Sequence, residues 1–161
     1  MAGLLCICGN GMSNSEMPSE NIAEIYTKDA LEKAIAEKVE LIDLWNDDWE
    51  YWFCPLCKRV TVVNRKTRRY TCSYSCQNVK SPMTLKSLQG WEEIFFWHDK
   101  DFVDATEASP HVTVKNFMVQ HPSRYLIRLS PDKSVAHVFS SQDGQYLFCY
   151  AQDPKELIYK D

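Results

Sequence analysis

The most prominent chemical feature of this chain is a set of three close pairs of cysteines. They account for six of its seven cysteines, namely Cys6 and Cys8, Cys54 and Cys57, and Cys72 and Cys76. The middle pair stands in the sequence Cys-Pro-Leu-Cys, whose spacing lets both thiolates reach one metal ion while nearby backbone N–H groups turn toward the sulfurs. A shell of four thiolates is typical of structural zinc, so a second pair is needed to complete such a site.

Two candidates exist for that second pair. The third pair is close in the chain, and a hairpin over residues 58–71 would return it to the neighbourhood of Cys57. The first pair is more distant, but Gly9 follows it directly, and the backbone after a zinc-binding turn often takes a positive φ that only glycine adopts freely. Spacing alone leaves both sets of four ligands open.

A similar order of patterns on the two sides of the chain favours an internal duplication. On each side a strand is followed by a helix and then by a set of antiparallel strands. The expected matches are Ile25 with Ile94, Tyr70 with Tyr146, and Cys72 with Phe148. Because Phe148 is an ordinary apolar strand position, this alignment predicts that Cys72 is a small apolar strand residue rather than a ligand.

The cysteine motifs also carry a resemblance. Leu-Leu-Cys-Ile-Cys-Gly-Asn-Gly-Met-Ser-Asn at residues 4–14 and Trp-Phe-Cys-Pro-Leu-Cys-Lys-Arg-Val-Thr-Val-Val at residues 52–63 resemble small uncharacterised bacterial zinc-ribbon proteins. The resemblance spans residues 1–75. It implies that one structural Zn²⁺ is shared by Cys6, Cys8, Cys54 and Cys57. It implies no activity, and the third cysteine pair departs from the pattern of those proteins.

Hydrophobic periodicity and turn residues predict an α+β protein. We expect a zinc-ribbon-like half over residues 1–76, a polar linker over 77–90, and an α+β half over 91–161 that ends in a three-stranded antiparallel meander. The two halves are expected to share one sheet. The elements predicted are helices at 28–38, 99–108 and 112–120, and strands at 4–8, 22–26, 60–63, 68–74, 91–97, 125–129, 135–139 and 146–150.

Composition narrows the function classes. The 161 residues carry a formal net charge of −4, so the chain as a whole is not built to bind polyanions. No apolar run is long enough to span a bilayer, and the apolar residues after Met1 are too few for an export signal. We therefore expect a cytoplasmic protein. In that reducing compartment, paired cysteines are more often metal ligands than disulfides.

A basic hairpin and a set of aromatic residues are the remaining candidates. The hairpin over 58–69 has six cations and no acid, and with Tyr70 and Tyr74 it could track phosphates and stack on bases. We expect the acids immediately upstream to neutralise it, so nucleic acid is the alternative partner. Most of the aromatics are expected in the core, and an exposed subset would mark a protein partner, the kind of partner that we favour. The aromatics concerned are Trp45, Trp49, Trp52, Phe53, Trp91, Phe95, Phe96 and Trp97.

Catalytic motifs are not evident. The four histidines have no metal-binding spacing, and five glycines are few for a phosphate-binding loop. We predict no catalytic and no organic cofactor-binding residues, and an enzyme of unknown type is the third class considered. The sequence thus predicts a zinc-binding interaction module whose metal is structural.

Overall fold

The computed structural model describes residues 3–15, 18–45, 48–77 and 83–153. Its ten strands in these ranges are β1 (Gly3–Leu5), β2 (Gly11–Ser13), β3 (Ile22–Thr27), β4 (Trp49–Phe53), β5 (Val60–Asn64), β6 (Arg69–Gln77), β7 (Glu92–His98), β8 (Tyr125–Leu129), β9 (Val135–Ser140) and β10 (Tyr146–Asp153). Its helices are α1 (Lys28–Ala36), α2 (Leu41–Trp45), α3 (Asp99–Ala108) and α4 (Val114–Gln120), with a 3-10 helix over Leu85–Leu88.

Strands β3 to β10 close into one antiparallel barrel. Around the barrel the order is β10, β6, β5, β4, β3, β7, β8 and β9, while β1 and β2 form a separate two-stranded sheet. The predicted α+β arrangement of a zinc-ribbon half and a meander half is therefore wrong, because the described residues are mostly sheet with few helices. The pairings of β3 with β7 and of β6 with β10 join distant parts of the chain, and local periodicity carries no information about them.

The order strand, two helices, three strands occurs twice, from β3 to β6 and from β7 to β10. A register shift marks the same place in both sets: Thr71 is skipped between β5 and β6, and Leu147 is skipped between β9 and β10. Both shifts are β-bulges, which strengthen the local twist. Counted from these bulges, Tyr70 corresponds to Tyr146.

The beginnings of the helices give a different alignment from the expected one. Ile25 lies three residues before the start of α1, and Phe96 lies three residues before the start of α3. Ile25 therefore corresponds to Phe96, and the expected match with Ile94 is out of register by two residues. The similarity of short apolar strand segments is insensitive to such a shift, because every second residue faces the same side.

The four helices cover the outer face of β3 and β7. The Thr27 hydroxyl accepts the Ala30 N–H and so starts α1 directly at the end of β3. The apolar faces of the helices pack against Tyr26 and Trp97, whose rings point out of the barrel. The buried members of this cluster are Tyr26, Leu31, Ala34, Leu41, Trp97, Phe102, Ala105, Val112, Val114 and Phe117.

The small β1–β2 sheet covers the outer face of β4 and β5. Leu4 and Met12 are paired across this sheet, and both side chains pack against Trp52 on β4. Cys6 and Cys54 belong to the same buried cluster, so the cysteine pairs meet where the small sheet lies on the barrel.

The barrel interior holds a third cluster, made of alternate residues from six strands. Its buried members are Ala23, Ile94, Phe96, Ile127 and Val138, and its half-buried members are Ile25, Tyr51, Tyr125, Leu129, Ala136, Phe148 and Tyr150. The predicted division of the chain at residues 77–90 stays a prediction, and residues 78–82 lie outside the described residues. No helix in the described ranges is long and apolar enough to cross a membrane.

Candidate metal centre

The first cysteine pair lies in a tight turn between β1 and β2. The Cys6 N–H donates to the Asn10 carbonyl at 2.9 Å, and the Gly9 N–H donates back to the Cys6 carbonyl at 2.8 Å. Gly9 has a φ of +89°, the conformation expected from its place after the second cysteine. These bonds hold Cys6 and Cys8 on a fixed loop.

The second pair lies in a matching turn between β4 and β5. The Cys54 N–H donates to the Arg59 carbonyl at 2.9 Å, and the Lys58 N–H donates to the Cys54 carbonyl at 2.8 Å. Lys58, directly after Cys57, has a φ of +63°. A lysine adopts this left-handed conformation only at a cost, so the surrounding hydrogen bonds impose it.

The two turns bring four sulfur atoms together. The Sγ atoms of Cys6, Cys8, Cys54 and Cys57 all lie within 4.8 Å of one another. The Cys6–Cys57 distance is 3.4 Å and the Cys8–Cys54 distance is 3.7 Å. A tetrahedron of sulfurs about 2.3 Å from a central zinc has edges of about 3.8 Å. All four cysteines are free thiols, and their spacing matches a four-thiolate metal shell.

The four thiols have unequal surroundings. Cys6 and Cys54 are buried, Cys57 is half-buried and Cys8 is exposed. Burial raises the pKa of Cys6 to about 12. Burial also opposes ionisation of Cys54, but the backbone N–H groups of Cys57 and Leu56 outweigh it and bring its pKa to about 6. The Cys54 turn therefore already favours a thiolate, while the other buried thiol would lose its proton on metal binding.

Asn10 is a residue of this site that the sequence analysis missed. Its side-chain N–H donates to the Cys54 Sγ atom over 3.6 Å. Amide donors of this kind orient a thiolate and tune its charge from outside the ligand shell. An asparagine after a Cys-x-Cys-Gly motif was the available signal, although asparagine in a turn usually serves only the backbone.

The third cysteine pair lies on β6, away from the cluster of four thiols. Cys72 is half-buried on β6, where it pairs with Val62 of β5, and Cys76 is exposed and pairs with Tyr150 of β10. Neither belongs to a cluster of metal-binding groups among the described residues. The structure thus brings together the four cysteines of the first alternative and separates those of the second.

Four of the six hairpin cations contact other groups of the fold. Arg59 binds Asp153 at 2.9 Å, and the Lys66 ammonium lies 2.6 Å from Asp48. The Arg65 guanidinium donates to the Trp45 carbonyl. Lys58 extends over the Phe53 ring, with its nitrogen 5.7 Å from the ring centre. The remaining cations, Arg68 and Arg69, have exposed side chains.

The protein is thus a closed antiparallel barrel that carries a cluster of four thiols on its outer side. Residues 2–78 match the profile of a family described as a domain of unknown function (DUF8617). That span includes both turns of the cluster and ends before β7. The comparison identifies no zinc-ribbon family, so the expected resemblance extends only to the four clustered cysteines. No curated protein and no solved structure matches the chain.

Proposed function

We propose that this chain binds one structural Zn²⁺ through Cys6, Cys8, Cys54 and Cys57 and acts as an interaction module for another protein. The metal assignment rests on one observation. The four Sγ atoms come from two separately hydrogen-bonded turns, and all of them lie within 4.8 Å of one another. Thiolate shells select zinc, copper(I) or iron–sulfur centres, and a closed tetrahedral set of four is typical of structural zinc.

The metal would join the small sheet to the barrel. Apart from the cysteines, the small sheet is attached through Leu4 and Met12 and through a few hydrogen bonds, such as that of the Ser13 N–H to the Asn21 side chain. Each of its strands has three residues. A sheet this short is unstable alone. Structural zinc contributes about 10–16 kcal/mol of apparent binding energy in small peptides, which exceeds what two apolar side chains supply.

Exposed apolar residues beside the metal support a protein partner. Leu5, Ile7 and Leu56 are 65%, 46% and 70% exposed, and each is adjacent in sequence to a clustered cysteine. We call these three residues the apolar rim. Large apolar side chains grouped on a surface are typical of interaction sites. A reducing compartment, which we take to be the cytoplasm, would keep the thiols available for metal.

Nucleic acid is the second candidate, and it rests on Arg68 and Arg69. Their exposed guanidinium groups are the observation in its favour. Against it, Arg59, Arg65 and Lys66 are engaged inside the protein. The net charge of −4 also opposes approach to a polyanion.

Metal analysis of the purified protein tests the proposal. We expect one zinc per chain, and after exchange with Co²⁺ we expect a sulfur-to-cobalt charge-transfer band and the visible bands of tetrahedral cobalt. Cys6→Ser and Cys57→Ser should each reduce metal content and stability. The matched control Cys72→Ser should change neither. Loss of zinc in Cys72→Ser with retention in Cys6→Ser would refute the ligand set, and iron in place of zinc would refute the metal assignment.

A further inference from the structure

Side chains in the barrel interior are unequally buried. Five members of the interior cluster are buried, among them Phe96 and Val138 at 8% and 3% exposure. Its other members, which include Ile25 and Phe148, are only half-buried, although both residues lie within their strands. On the outer face, by comparison, Trp52, Thr61 and Phe139 are 3%, 0% and 0% exposed.

Part of the interior surface is therefore open to solvent. Eight strands enclose a volume that side chains just fill or that holds one small ligand. The lining is aliphatic and aromatic and includes Tyr51, Tyr125 and Tyr150. Burial raises the pKa of the Tyr150 hydroxyl, so this part of the lining is shielded from water. A pocket with an apolar lining and a few polar groups is the usual form of a small-molecule site.

A cavity opens at one mouth of this interior. Its volume is about 470 Å³, within the range of ligand pockets. Its lining consists of His98, Pro122, Ser123, Arg124, Tyr125, Ser141 and Gln142. Tyr125 also belongs to the interior cluster, where its ring lies 5.3 Å from that of Phe96 and 6.1 Å from that of Phe148. The mouth cavity and the apolar interior therefore share a wall.

Of the described residues that line the mouth cavity, Arg124 is the one with a charged side chain. Arg124 is held in place by two bonds to Asp101, at 3.0 and 3.1 Å, which use two of its five N–H groups. The Ser141 hydroxyl donates to the Arg124 carbonyl at 3.0 Å and fixes the loop. Burial lowers the pKa of His98, so its imidazole is neutral at pH 7. A fixed guanidinium with unused donors suits an acceptor group such as a carboxylate or sulfonate.

We propose that the barrel binds a small amphipathic molecule, with an apolar ring body in the interior and an anionic group at Arg124 in the mouth cavity. The barrel closure limits the occupant to one small molecule, and the aromatic lining favours a ring. This site lies apart from the cysteine cluster and goes beyond the function proposed above.

Two fluorescent probes with the same ring body test the site. Anilinonaphthalene sulfonate carries an anionic group, and N-phenylnaphthylamine lacks it. Titration of the metal-loaded protein should show saturable binding of both probes at one site per chain. Ala136→Trp places a large ring inside the barrel, where Ala136 lies against Leu129 and Tyr150. It should weaken binding of both probes by at least about tenfold.

The Arg124→Gln variant tests the anion-binding part of the site separately from the apolar interior. It should weaken the sulfonate probe by about tenfold and leave the uncharged probe unchanged, a difference that does not depend on whether Ala136→Trp folds. Val119→Trp is the matched control, because Val119 is 78% exposed on α4. A folded Ala136→Trp protein with unchanged binding would overturn the proposal. Equal effects of Arg124→Gln on both probes, or absence of saturable binding, would also overturn the proposal. Loss of binding in Leu56→Ser would overturn it too, because the probes would then bind at the apolar rim.

Discussion

Gly9 and Lys58 occupy equivalent positions in the two cysteine turns, each directly after the second cysteine, and both have a positive φ, of +89° and +63° respectively. A Cβ atom built on Gly9 meets no atom within 4 Å, so a side chain there would be disfavoured by backbone conformation alone. The two turns thus differ in how well their residue type suits the same backbone.

The shared positive φ predicts that a Cβ atom lowers stability at both positions, so that alanine is unfavourable at Gly9 and glycine is favourable at Lys58. Gly9→Ala should lower the free energy of unfolding by about 1–2 kcal/mol, because an L-residue is disfavoured in the left-handed region. Lys58→Gly should be more stable than Lys58→Ala by about 1 kcal/mol, since both lose the contact with Phe53 and only the alanine keeps a Cβ. Urea unfolding of the metal-loaded proteins measures both. Equal stability of the two Lys58 variants would contradict the prediction.

Removal of the metal should destabilise the structure only around the cysteine cluster. A chelator should speed amide hydrogen exchange in β1, β2 and residues 54–59, because the thiols are the main link between the small sheet and the barrel. Exchange in β8 and β9 should be unchanged, since these strands lie in the other half of the barrel order. Mass spectrometry of peptic fragments measures this. Uniform acceleration would instead show that the metal controls global unfolding.

A buried carboxyl group should make stability depend on pH. Glu24 is 3% exposed and accepts the Trp45 indole N–H at 2.8 Å and the Tyr26 hydroxyl at 3.1 Å. Burial raises its pKa from 4.5 to about 7, despite the opposing effects of those hydrogen bonds and of Arg65. Because the folded state holds this proton more tightly than the unfolded state, stability falls as pH rises from 4.5 to about 7.

Glu24→Gln should remove that dependence. The wild-type protein should lose about 1–2 kcal/mol more stability than the variant between pH 6 and pH 8. Urea unfolding at both values measures the difference, and comparison of the two proteins cancels contributions from the thiols. Glu93→Gln is the control, because Glu93 pairs with Lys28 and Arg128 nearer the surface. Parallel pH profiles for wild type and Glu24→Gln would contradict the assignment.

Nucleic acid binding should be absent at physiological salt. If phosphates were bound, affinity would fall with salt by a slope of about −0.7 per contact for single strands. Titration of labelled single- and double-stranded oligonucleotides at two salt concentrations measures this. The informative variant changes Arg68 and Arg69 to Ala and keeps Arg65, which is engaged with Trp45. Micromolar binding that is lost in this variant and weakened by salt would favour the second candidate function.

The individual helices and strands could be predicted from the sequence, but the closure of the barrel could not. The helix over Asp99–Ala108 and the strand over Tyr125–Leu129 were predicted with the observed bounds, because both have clear periodicity and turn residues at their ends. The apolar stretch over Leu41–Trp45 is too short for its periodicity to distinguish helix from strand, and it is a short helix. The barrel escaped prediction because pairing of β3 with β7 depends on tertiary packing.

The four clustered cysteines were named from motif and resemblance, and the structure brings their sulfurs together. Spacing could not decide between the first and third pairs, since a short hairpin returns the third pair to Cys57 while the first pair has the favourable Gly9 directly after it. What decides it is the pairing of Leu4 with Met12, which places the first pair on the outside of the barrel. The mouth cavity was missed because His98, at the end of β7, and Arg124, in the loop before β8, share no sequence pattern.

Closure through β3–β7 and β6–β10 has a consequence for shorter chains. Residues 2–78, the span matched by the family, contain β3 to β6 and thus half of the barrel strands. Such a fragment would present two open sheet edges with unpaired backbone groups, and two copies related by a two-fold axis could pair edge to edge as the halves do here. Sedimentation of the isolated span should therefore show a dimer, and a stable monomer would mean that those edges are protected in another way.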